Sequence, residues 1–230
     1  HALLTVAETP VGQTPKEVIW SRNKARLYHY LPVAETRYPT PILIVYALIN
    51  KPYILDLSPG ASLVEYLVGR GFEVYMLDWG TPGDDDRGMR FEDYVDIYIP
   101  RAARKVLRHA GAADFTLLGY CMGGTMSAMF AARHPELPLK NLVLMAAPID
   151  FAEQGYFSDW LAAEHFDVDA LVDTLGNIPG EMIDFGNKML KPMTNFIGPY
   201  TTLWERISQK KDLSAWLTMS KWVQDGIPFP

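Results

Sequence analysis

The sequence predicts an α/β protein: a mostly parallel sheet wrapped by helices and followed by a helical cap. Three observations carry this. Between residues 41 and 145 short apolar runs alternate with longer amphipathic stretches, the pattern of buried strands joined by crossover helices. Within that region the run Phe115–Leu118 leads directly into Gly119-Tyr120-Cys121-Met122-Gly123-Gly124 and then into a stretch of small residues, which reads as strand, sharp turn and helix. After Pro148 the texture changes to apolar and aromatic residues at helical spacing, interrupted by Gly176, Pro179, Gly180, Pro192, Gly198 and Pro199. Residues 1–150 are therefore read as the core and 151–230 as a cap of several short helices.

Taken in order, Val18–Trp20 and Ala25–Leu31 are predicted as two strands joined by the turn Ser21-Arg22-Asn23-Lys24, an antiparallel hairpin at one sheet edge. Ile42–Ala47 follows as a buried strand, Leu63–Val68 as a helix, Phe72–Leu77 as a strand and Phe91–His109 as a long helix. Phe115–Leu118 supplies the next strand, Thr125–His134 its helix, and Leu142–Met145 a further strand. Cys121 then falls at the carboxyl end of a parallel strand, where open α/β sheets put their sites.

Composition narrows the functional classes. A chain of 230 residues, 49% hydrophobic, can bury one substantial core. A net charge of −6 disfavours a nucleic-acid groove, which needs a basic face, whereas an acyl-CoA needs only a local cationic patch. One cysteine excludes an internal disulfide and a Cys-rich metal site, and points to a reducing cytoplasm. The longest apolar stretch, Pro41–Ile49, is too short to span a bilayer, so no transmembrane segment is expected. The opening His1-Ala2-Leu3 lacks an initiator methionine, and the natural N-terminus is expected to lie elsewhere.

Gly-x-Cys-x-Gly at a strand-to-helix turn is a nucleophile elbow carrying a thiol. The glycines are needed because the turn forces the nucleophile into a strained backbone, where larger flanking side chains would collide with neighbours. A thiolate exchanges readily with another thiol leaving group, so Cys121 in place of serine favours capture of an acyl group from a thioester. The competing reading is an inert buried cysteine. The developing oxyanion needs donors: the backbone N–H of Met122 at the helix start, and a second from Leu48, Ile49 or Asn50 in the loop after the central strand, which could equally be a plain turn. Asp78 either shapes the pocket or caps a turn, and Asp84-Asp85-Asp86 reads as a solvated loop rather than a metal site. Met182, Met189, Met193 and Met219 read as core methionines or as an adaptable cap surface. None of the five histidines, His1, His29, His109, His134 and His165, sits on a loop after a late strand, where such folds hold their base; His165 is a surface residue or a substitute base from the cap. The late strands, the general base and the orienting acid are thus expected to lie outside this sequence, and a polypeptide ending at Pro230 is expected to be inactive and poorly soluble.

With these residues in view the chain resembles the polyhydroxyalkanoate synthases, specifically the catalytic subunit of the two-component bacillus type, within the α/β-hydrolase superfamily. The resemblance runs through Thr14–Trp20, Tyr46–Leu57, Leu77–Gly83, Gly119–Met126, Asn177–Pro179, Asp184–Pro192 and Trp222–Phe229. It implies an α/β-hydrolase fold with a cap, and polymerisation of (R)-3-hydroxyacyl-CoA, chiefly 3-hydroxybutyryl-CoA, to a growing polyester chain with release of CoA. Cys121 matches the family's nucleophile; acyl-CoA is substrate and no cofactor or metal is implied. It further implies a small accessory subunit, a homodimer through the cap, and residence in the cytoplasm on polymer granules. Two alternatives stand beside it: a Cys-dependent thioesterase or lactone hydrolase, and a non-catalytic granule-binding module.

Overall fold

The computed structural model describes residues 10–152, 166–209 and 213–229. Six strands form one sheet in the order β1-β2-β6-β3-β7-β8. β1 (Lys16–Arg22) and β2 (Ala25–Tyr30) make the edge hairpin, joined by Asn23 and Lys24 alone; the predicted four-residue turn shortens because Asn23 takes a positive φ of 50°. A bulge at Ile19 shifts the hairpin register. β2 runs antiparallel to β6 (Val74–Asp78), and β6, β3 (Ile42–Val45), β7 (Phe115–Tyr120) and β8 (Leu139–Met145) run parallel, as α/β-hydrolase topology requires. A small second hairpin, β4 (Asp56–Ser58) with β5 (Ala61–Ser62), was not expected.

All four residues of β3 are buried because helices cover both faces of the sheet. On one face Leu43, Val45, Tyr75, Leu77, Phe115 and Leu117 pack against α3 (Ile99–Ala110) and α4 (Met122–Arg133). On the other, Ile42, Ile44, Met76 and Leu118 pack against Val64 and Val68 of α1 (Leu63–Gly69), whose N-cap Ser62 accepts from the Glu65 N–H. The stretch 91–110 is helical throughout, as predicted, but α2 (Phe91–Asp93) and α3 are separated by a π-helical turn at Tyr94–Tyr98. That turn feeds Tyr94 and Tyr98 into an aromatic cluster with Trp79.

After β8, α5 (Val168–Leu175), α6 (Gly180–Met189), α7 (Gly198–Ser208) and α8 (Ser214–Gln224) follow. Among the described residues, hydrogen bonds that tie this region back to the core include Asn177 to Gly83 O, Trp222 Nε1 to Lys51 O, and Tyr53 Oη to Asp225. Met182, Met189, Met193 and Met219 are exposed, so the core reading of these methionines is corrected. Among the described residues no helix is long and apolar enough to cross a membrane.

Candidate active site

Parallel registration aligns Val45, Gly119 and Leu144 at the carboxyl end of the sheet, and Cys121 follows immediately. Its backbone sits at φ 53°, ψ −130°, and its N–H donates to Met145 O at 2.9 Å. The thiol is half-buried and free. α4 begins at once with Met122, three residues earlier than predicted, because packing overrides the low helix propensity of Gly123 and Gly124. Each elbow glycine is required by contact. A Cβ on Gly123 would stand 2.2 Å from Val45 O; one on Gly124, 2.4 Å from the Ala147 Cβ; one on Gly119, 2.4 Å from the Gly124 Cα. The helix start is thereby pressed onto the ends of β3 and β7. Thr125 Oγ1 donates to Pro148 O at 2.7 Å, fastening the same turn to the loop after β8.

This close approach brings the first turn of α4 against the segment that continues into Leu48, Ile49 and Asn50. Leu48 is buried in the core, Ile49 and Asn50 are half-buried, and Asn50 takes φ 63°. The loop is also tied from the β6 side, where Trp79 Nε1 donates to Tyr46 O at 2.9 Å. Met122 N–H belongs to the first turn, whose amides lack intrahelical acceptors. The arrangement thus offers a thiol, a helix N-terminus and a loop with a left-handed residue at one end of the sheet.

Three aromatic residues inside the stretches that carry the resemblance are not singled out as site residues by the sequence. Tyr46 and Tyr120 stack with centroids 5.6 Å apart, and Trp222, Cys121, Tyr120 and Met145 each pack against the same buried cluster, which contains Tyr46. Burial, followed by the nearby Tyr120 and Cys121, pushes the Tyr46 phenol above its ordinary range. Only a fold that returns residue 222 to residue 51 could reveal Trp222.

The remaining candidates lie elsewhere. Asp78 Oδ1 accepts from the Gly80 N–H, the turn-capping role, while Oδ2 lies 3.4 Å from Tyr28 Oη. Asp86 corrects the solvated-loop reading: it is buried, bonded to Lys24 Nζ and to the Gly83 N–H. His134 is held by Asp96 and Glu136, and His29 and His109 lie at the other end of β6; His1 and His165 fall outside the described residues. A cavity of about 570 Å³ opens beside the loop, lined by Arg26, Tyr28, Lys51, Tyr53 and Asp78 among others, but not by Cys121.

A profile of the alpha/beta hydrolase fold matches residues 40–225, and one of the poly-beta-hydroxybutyrate polymerase (PhaC) N-terminus matches residues 4–67. The chain is 44% identical over 224 residues to a poly(3-hydroxyalkanoate) polymerase subunit PhaC of Haloferax mediterranei, covering 97% of this chain and 45% of that one. A subunit of the same name from Synechocystis is 40% identical over 94% of this chain and 58% of its own, and one from Allochromatium vinosum 35% over 97% and 63%. The chain spans about half the length of the curated relatives it matches. Among solved structures, the Francisella virulence factor BioJ aligns with a TM-score of 0.50 at 15% identity, over 70% of this chain and 53% of that one, a likeness of fold alone.

Proposed function

Since the chain belongs to the α/β-hydrolase superfamily and, within it, to the poly(3-hydroxyalkanoate) polymerases, we propose that Cys121 is the nucleophile of an acyltransferase that polymerises (R)-3-hydroxyacyl-CoA, chiefly 3-hydroxybutyryl-CoA. The observation that carries this reading is the placement of a thiol at φ 53° between a parallel strand and a helix N-terminus. The Cys121 thiolate attacks the thioester carbonyl, and the oxyanion is held by the Met122 N–H with a second donor from Leu48, Ile49 or Asn50. Collapse breaks the bond to sulfur, CoA leaves with a proton, and the acyl group stays on Cys121. The hydroxyl of a second monomer then attacks that acyl-enzyme, forming the ester and freeing the thiol. No residue of this chain is assigned as the base that activates Cys121 or the acid that assists the hydroxyl.

Acyl-CoA enters as substrate, so the scheme needs no resident cofactor. The cationic rim of the cavity, Arg26 and Lys51, suits the phosphates of the CoA moiety. A small accessory subunit, a homodimer through the 151–230 helices taken as a cap, a two-component bacillus-type assembly, and cytoplasmic residence on polymer granules belong to the same proposal. The test is CoA release from (R)-3-hydroxybutyryl-CoA, followed with a thiol reagent, with Cys121→Ala as control and product analysis in parallel. Insoluble polyester formed only with Cys121 present supports the reading. Free acid as sole product would make it a hydrolase, and release unchanged in Cys121→Ala would remove the nucleophile.

A further inference from the structure

We propose that Glu17, His29 and His109 form a divalent-metal site, suited to Zn²⁺, at the amino-terminal end of β6, the end of the sheet opposite Cys121. The ligands come from three elements, β1, β2 and the last turn of α3, and one ligating atom of each lies within 4.8 Å of the other two. Two imidazoles and a carboxylate are a donor set Zn²⁺ accepts, with a water completing the tetrahedron. Glu17 and His109 are exposed, so the site has a path of access and two side chains free to close onto bonds of about 2.0–2.2 Å.

The second observation is the state of His29. Its side chain is 9% exposed, Nδ1 lies 3.2 Å from Glu17 Oε1, and Nε2 is buried with no hydrogen-bond partner. Glu73 Oε1 stands 3.5 Å from that nitrogen. A neutral ring donating from Nδ1 to Glu17 leaves a bare lone pair at Nε2 facing a carboxylate, an unsatisfied buried atom. A metal on Nδ1 reverses this, since the ring proton then sits on Nε2, 3.5 Å from Glu73 Oε1, and a small closure of the Glu73 side chain would let it accept that proton. That is the carboxylate–histidine–metal arrangement in which an outer carboxylate fixes the ligating tautomer. The other histidine is prepared by the same carboxylate. Tyr75 Oη lies 2.6 Å from Glu73 Oε1 and 2.9 Å from His109 Nδ1. The hydroxyl has one proton; given to Glu73, it leaves Tyr75 accepting from His109 Nδ1–H, and Nε2 of His109 is free to ligate. The bound ion would fasten the edge hairpin to α3.

The competitor is a proton: an imidazolium between Glu17 and Glu73 also satisfies His29. The experiment is calorimetric titration of the chelator-treated, desalted chain with Zn²⁺, with Co²⁺ as a spectroscopic probe. Saturable one-to-one Zn²⁺ binding, a visible tetrahedral Co²⁺ band and a melting temperature raised by about 5–10 °C at 100-fold excess over Kd are expected. His109→Gln and Glu17→Gln should abolish the band. Glu73→Gln removes no ligand and should weaken binding roughly 10–100-fold. His134→Gln, whose ring serves Asp96 and Glu136, should change nothing. Absence of a Zn²⁺ heat and a Co²⁺ band in protein of native circular dichroism overturns the proposal, as does binding that survives both His109→Gln and Glu17→Gln.

Discussion

Gly123→Ala is expected to cost both stability and, more steeply, rate. The added Cβ would stand 2.2 Å from Val45 O and 2.7 Å from the carbonyl carbon and oxygen of Tyr46, and every one of these atoms is backbone. No side chain can swing aside, so reaching the 3.0 Å floor of real Cβ contacts drives the first turn of α4 and the end of β3 apart by 0.8 Å. Over-packing of this kind costs about 1–3 kcal/mol, a fall in melting temperature of roughly 3–10 °C for a chain of this size. The same displacement separates the Met122 N–H from the loop that carries Leu48, Ile49 and Asn50. An error on the order of 1 Å between groups that must converge on one oxyanion costs about 100-fold in rate. Thermal melts paired with CoA release from (R)-3-hydroxybutyryl-CoA measure both. Gly186→Ala is the control: this glycine lies inside α6 with no atom within 4 Å of an added Cβ, and the change should stabilise by about 0.5–1 kcal/mol. Wild-type melting and CoA release within about 2-fold of wild type for Gly123→Ala would refute the account, because a loss on that scale is far below what a 1 Å error predicts.

Three further outcomes follow from contacts already described or adjacent to them. Buried Asp56 accepts from Thr14 Oγ1 at 2.6 Å, Ser62 Oγ at 2.8 Å and the Thr14 N–H at 3.1 Å; Asp56→Ala should cost about 3 kcal/mol in urea denaturation, and a loss below about 0.5 kcal/mol would show these bonds to be idle. For Asp86, burial alone would raise the carboxyl pKa, but hydrogen bonds from Lys24 and the Gly83 N–H and the Lys24 charge outweigh it and hold the folded value low. The contribution is therefore full above the ordinary carboxylate pKa of about 3.9 and lost as pH falls through the lower folded value; the stability gap between wild type and Asp86→Asn should narrow below pH ~4, and a gap independent of pH would contradict it. Lys51→Ala should raise KM for the CoA thioester about 5-fold with kcat retained, an effect that fades with added salt; an equal change for a substrate lacking the nucleotide would point away from phosphate binding.

The alternation of apolar strands and helices from Ile42 to Met145 was legible because β3, β6 and β7 are buried almost throughout and so lack polar interruption, and because Leu142–Met145 keeps an apolar run even though most of β8 is exposed. The elbow was legible because its glycines are spaced by steric need. What was not legible depends on contacts across the fold. Nothing near Asp56 marks it as the acceptor for Thr14, 42 residues away. Gly123 and Gly124 argue against a helix until the backbone of β3 is brought beneath them. Glu17 meets His29 only because the bulge at Ile19 slips the hairpin by one residue; in the unbulged register Val18 would face that histidine. Trp222 reaches the neighbourhood of Cys121 through a return of the chain that no local pattern announces.

The torsion at Cys121 has an implication for engineering. A residue other than glycine at φ 53°, ψ −130° costs about 1–3 kcal/mol. Cys121→Gly removes that cost together with the thiol, so a selection that rewards heat resistance alone should enrich glycine at this position and deliver tougher, inert protein. Any programme to harden this fold has to screen turnover alongside melting, and position 121 is where the two readouts should diverge first.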